Sequence, residues 1–137
     1  MTIQPIKPAN SSIKIRPVFK KTNNQSFGYS HFLKTMYKRG QLPQVKRGFY
    51  GEALSLKNVS LEHLKPISKG GKTELKNLVL AHKDLNNKRS DKPLNEFINF
   101  KAMSVYLEQF KNIKIMGFDG NKYIAMILET VGRLLNG

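Results

Sequence analysis

The 137-residue sequence contains no cysteine. That excludes disulfides, thiol nucleophiles and cysteine-ligated zinc together, so a catalytic metal must be held by oxygen or imidazole. Acidic residues are scarce as well: 9 Asp and Glu stand against 24 Lys and Arg, a formal charge of +15. An excess of that size points to a polyanionic partner. Nucleic acid comes first, with a ribosomal or anionic membrane surface behind it. Charge alone does not imply cleavage. No long apolar run is present either, since the longest, around Leu78-Val79-Leu80-Ala81, falls far short of a membrane span. There is no charged-then-apolar leader with a small-residue cleavage site, so the expected location is cytoplasmic, not secreted. No internal repeat is visible.

What is present suits one domain with an ordinary core, at 39% hydrophobic residues. Residues 1–27 carry Pro5, Pro8, Pro17 and the pair Lys20-Lys21. They read as a basic, flexible arm, with an edge strand over 13–19 as the alternative. Residues 28–137 form the expected domain. A helix is predicted from Ser30 to Arg39, with Phe32, Leu33, Met36 and Tyr37 on one face, Gly40 at its end and His31 on its surface. Strands are predicted over 58–63 and over Leu78-Val79-Leu80. A helix over 82–91 should turn Leu85 inward and Lys83, Lys88 and Arg89 outward. Another should start at Pro93, capped by Asp91, and run to about Lys111. After a break at 117–120, a last helix over 121–135 carries the stripe Tyr123, Ile124, Ile127, Leu128, Val131, Leu134 and Leu135. Core packing explains that stripe; a dimer seam is the alternative.

The chemistry concentrates in 61–94. Glu62 and His63 are adjacent, Gly70-Gly71 make a turn, Asn77 heads an apolar strand, and Asn86 lies on a basic helix. A neutral imidazole can take a proton from water near neutral pH, which suits His63 as a general base. Adjacent strand residues point to opposite faces, so a metal on Glu62 and a water on His63 could approach one phosphate from two sides. Asn77 could bond the ring or its loop. Asn86 adds a neutral oxygen, and carboxylate, carboxamide and water together suit Mg²⁺ or a similar hard ion. Lys88 and Arg89 could contact phosphate. Taken singly, each has a plainer reading, because Glu-His pairs, Gly-Gly turns and helix-end asparagines are common. The joint order is what points to a nuclease.

That order is Glu62-His63-Leu64-x-Pro66-x-Ser68-x-Gly70-Gly71, then Asn77-Leu78-Val79-Leu80-Ala81, then Asn86-Asn87-Lys88-Arg89-Ser90-Asp91-Lys92-Pro93. It resembles the HNH endonuclease family over about residues 47–94. The resemblance implies an α+β fold with a small ββα-metal core at about 57–92, followed by helices over 93–135. It implies His63 as general base, Asn77 as the residue orienting it, and Glu62 and Asn86 as metal ligands. Ser90 falls where some members place another ligand. Two departures stand out. Glu62 replaces the aspartate or histidine often found there, and the positions of the Cys-x-x-Cys pairs are Arg47, Tyr50, His82 and Leu85, which exclude the structural zinc. Packing by Tyr50, Leu85 and the C-terminal helices should replace it. His82 is expected in a structural position, with a place in the site as the alternative.

The expected activity is a metal-dependent endonuclease, using Mg²⁺ or else Mn²⁺, with DNA ahead of RNA as substrate. The rivals are a binding protein with this fold and no chemistry, or a nuclease subunit of a larger phage or mobile-element complex. Self-association through the last helix is the expected route to an oligomer.

Overall fold

The computed structural model describes residues 32–115 and 117–136. The predicted arm over 1–27, its edge strand and His31 lie outside them. The architecture is mixed α/β, with helices around two small antiparallel sheets.

A helix over 32–38 (α1) buries Leu33 and Met36, one turn apart. It closes as predicted: Gly40 takes φ +76°, and the Gln41 N–H reaches back to the Met36 carbonyl at 2.9 Å. Strands Val59–His63 (β1) and Leu78–His82 (β2) then pair antiparallel, from Val59 opposite His82 to His63 opposite Leu78. Helix Lys83–Arg89 (α2) follows without a linker and packs on β1. His82 caps it, its Nδ1 accepting from the Asp84 N–H at 3.0 Å. That is the structural role expected of His82. The predicted helix over 82–91 ends early because Ser90 turns to φ +53°.

The long β1–β2 connection folds back on itself at Gly71. The Gly71 N–H bonds the Pro66 carbonyl at 2.9 Å, and a Cβ on Gly71 would lie 1.8 Å from the Lys65 carbonyl oxygen. Backbone cannot yield there as a side-chain tip would. Gly71→Ala is therefore expected to destabilise the domain by roughly 1–3 kcal/mol, read from its urea midpoint. An unchanged midpoint would mean that this close approach is easily relaxed.

The helix predicted from Pro93 to Lys111 is two elements. Pro93 opens a 3-10 turn, Leu94–Glu96, and helix Phe100–Glu108 (α3) begins afresh. Asn99, not Asp91, is the cap: its Oδ1 accepts the Ala102 N–H at 2.9 Å. A side chain that bonds the backbone in this way starts a helix where it stands. A short hairpin, Lys114–Ile115 (β3) and Phe118–Asp119 (β4), leads into the last helix, Gly120–Asn136 (α4).

Helices α3 and α4 hold the β1–β2 hairpin by its outer edge. The Leu80 N–H donates to the Tyr106 hydroxyl at 2.9 Å, and Tyr123 donates to the Leu78 carbonyl at 2.7 Å. The two hydroxyls are 2.8 Å apart. Tyr123 already donates to Leu78, so Tyr106 is the donor between them. Phe49 adds a third tie, its N–H to the Leu80 carbonyl at 2.9 Å. Exposed strand edges need such cover. In α4, Tyr123, Ile127 and Val131 are buried in the same core, leaving Leu128 at 47% as the most exposed of the apolar stripe. Among the described residues no helix is long and apolar enough to cross a membrane.

Candidate functional site

Asn77 closes the connecting loop. Its Oδ1 accepts the Lys65 N–H at 2.8 Å, and its Nδ2 donates to the carbonyls of Lys65 and Lys72 at 3.1 and 2.9 Å. A carboxamide with one acceptor and two donors is matched to that backbone, and the side chain is buried. Asn77 therefore acts on the loop and not on the imidazole directly.

The loop in turn holds His63. Thr73 follows the clamped Lys72, and its Oγ1 lies 2.9 Å from His63 Nε2. With the proton on Nε2 donating to Thr73, Nδ1 keeps its lone pair. That nitrogen has no protein partner among the described residues. His63 is half-buried, and burial holds its pKa below the ordinary imidazole value. The ring thus stays neutral to lower pH than a solvated histidine would. Thr73 carried no sequence signal of its own.

Glu62 and His63 do point to opposite faces of β1, but the Glu62 face is interior. Glu62 is 3% exposed. Its Oε2 accepts from the Tyr50 hydroxyl at 2.5 Å and from Arg89 Nη1 at 3.0 Å. Burial is the largest influence on this carboxyl and pushes its pKa up, against the hydrogen bonds from Tyr50, Arg89 and the His63 N–H. Burial and the adjacent carboxylate push the Tyr50 hydroxyl well up too, so it remains a donor. Tyr50 is fixed edge-on between Phe49 and Phe97, with centroids 5.3 and 5.1 Å away.

Arg89 corrects the sequence expectation. It is 0% exposed, so it is no outward phosphate contact. Its guanidinium donates to the carbonyls of His63, Leu64 and Lys92 at 3.0, 2.8 and 2.9 Å, besides Glu62. The physical reason is helical spacing, since a helix that turns Leu85 inward turns residue 89 inward as well. Leu85 itself is half-buried, and Arg89 is the deeper anchor of α2. Lys88 faces solvent as expected.

Asn86 reaches across from α2 to β1. Its Nδ2 donates to Ser60 Oγ at 3.1 Å and to the Leu61 carbonyl at 2.9 Å. Its Oδ1 accepts nothing among the described residues. Both side-chain bonds to Glu62 fall on Oε2, so the other carboxylate oxygen lacks a side-chain donor, while the His63 N–H also bonds the carboxylate. Ser60 and Glu62 share the β1 face covered by α2, which puts these two oxygens on one side of the strand. A carboxylate and a carboxamide oxygen fit a hard divalent ion completed by water and phosphate. The fit is narrow. Arg89 already neutralises Glu62, and among the described residues no three His, Asp or Glu side chains cluster to make a closed cage. No protein family, curated protein or solved structure was found to match the chain.

Proposed function

We propose that the protein is a metal-dependent endonuclease with a ββα-metal core, hydrolysing phosphodiester bonds in DNA. One observation carries the reading: His63 ends a strand, its Nε2 is held by Thr73, and the loop bearing Thr73 is clamped by Asn77. With the proton on Nε2, Nδ1 is then free to act. A core role would bury both ring nitrogens or pair both.

In this reading His63 Nδ1 takes the proton from the attacking water. Thr73 holds the ring, and Asn77 is a positioning residue acting through the loop. Glu62 and Asn86 would hold the ion, which when bound supplies positive charge to the phosphoryl and leaving oxygens. Arg89 and Tyr50 oppose the effect of burial on the Glu62 carboxyl and fix it in place. The excess of Lys and Arg brings the polyanion to the surface, with little base selectivity, because phosphate contacts carry no sequence information.

The Arg89–Glu62 ion pair favours a second reading, a nucleic-acid-binding protein with this fold and no chemistry. Supercoiled plasmid incubated with the purified chain in Mg²⁺ or Mn²⁺ separates the two. Nicking that EDTA abolishes is the expected result. Salt-sensitive DNA binding without nicking would select the second reading.

A further inference from the structure

Beside the His63 loop lies a cleft of about 680 Å³, walled by the Gly70-Gly71 loop, the turn at 93–95 and the end of α4. Its rim carries Lys65, Lys69, Lys72, Lys76 and Arg133 against the single carboxylate Glu74. Arg133 is paired with Glu129 at 2.7 Å. The four lysines are exposed, and none has a carboxylate partner among the described residues. Four unpaired ammonium groups around one concavity repel one another, and an anion between them relieves that repulsion.

The lysines stand on ordered backbone. Asn77 binds the main chain of both Lys65 and Lys72, and the Lys69 N–H bonds the Pro66 carbonyl at 2.9 Å. At the far wall the Thr130 hydroxyl donates to the Lys76 carbonyl at 2.6 Å, tying α4 to the loop. The floor is different in kind: half-buried Pro66 and Leu134 present apolar surface, over the buried Leu64 and Leu94. A duplex keeps its bases stacked inside and offers a protein mainly phosphates. A single strand also exposes sugar and base faces, which pack on apolar surface while the phosphates meet the lysines. The volume is that of a pocket enclosing a drug-sized ligand, which a nucleotide unit is and a duplex is not.

We propose that this cleft takes a single nucleic-acid strand, with its phosphates on Lys65, Lys69, Lys72 and Lys76 and its sugars and bases over the apolar floor. The inference deepens the proposed function and rests on its substrate class, not on its chemistry. A strand in the cleft runs along the loop that carries Thr73, the residue bonded to His63.

The test is fluorescence anisotropy of a short labelled oligonucleotide, single-stranded or as duplex, with the full-length chain in EDTA. The exposed triple Lys69, Lys72 and Lys76→Ala is compared with Lys46, Lys101 and Lys114→Ala, exposed lysines that do not line the cleft. The cleft triple should lose about tenfold in single-strand affinity at low salt, and its log–log salt slope should flatten by about 2. The comparison triple should change neither by as much. Equal losses in the two triples would overturn the proposal, as would a loss confined to the duplex. Cleavage by a wild-type chain whose cleft triple binds normally would defeat the cleft and leave the nuclease. The expected binding loss without any cleavage would do the reverse.

Discussion

Replacing Arg89 with alanine is expected to destabilise the domain by about 3–5 kcal/mol, a large part of the stability of a domain this size. The guanidinium is fully buried and serves Glu62, Tyr50 and three carbonyl oxygens at once. Its loss strands a buried carboxylate and leaves those carbonyls in a cavity. Lysine is not a rescue, because a single ammonium cannot reproduce the planar fork. Removing the carboxylate together with the arginine should be milder. Glu62→Leu with Arg89→Met is expected to recover only the part due to the stranded carboxylate, because the carbonyls of His63, Leu64 and Lys92 and the Tyr50 hydroxyl stay unpaired. Urea midpoints of the single and double variants check this. A single variant within about 0.5 kcal/mol of wild type would mean that the pair does not anchor α2 to β1.

Replacing His63 with alanine is expected to slow cleavage by roughly 10²–10⁴-fold, the usual contribution of a positioned general base. The ring is half-buried at a strand end and has one side-chain hydrogen bond, so stability should change little. The pH profile gives an independent signature. Burial lowers the His63 pKa, and a general base acts through the neutral ring. Activity should therefore persist as pH falls past the ordinary imidazole value and fail only below it. The sign for stability is the same. The folded state disfavours the protonated ring, so the stabilisation is present above the ordinary value and is lost as pH falls through the lowered one. An acid limb above the ordinary histidine value would mean that another group limits the rate.

Much of the frame was legible because it is written in local patterns. Alternation of Val59, Leu61 and His63 with Ser60 and Glu62, the apolar run after Asn77, and Gly40 as a helix end are signals carried by adjacent residues, and the elements fall where these put them. The loop role of Asn77 was legible as one of two alternatives, the loop or the ring. What was not legible depends on partners distant in sequence. Tyr50 meets Glu62 across 12 residues and Arg89 across 39, and no spacing rule joins them. The Tyr106–Tyr123 pair that covers the edge of β2 is equally remote from it. Arg89 is the exception. Its spacing of four from Leu85 placed it inward, but a cation beside Lys88 read as part of a basic face. The α3 start was missed because Asn99 outcompetes Asp91 as a cap, a choice that Pro93 obscures.

Cleavage of supercoiled plasmid by wild type and by His63→Ala, side by side in Mg²⁺ and at equal DNA occupancy, decides whether His63 is the base of a phosphodiester hydrolase. Nicking by the wild type, a loss of at least about a hundredfold in the variant and near-equal unfolding midpoints are expected. Equal cleavage rates in the two proteins would show that His63 is not the base.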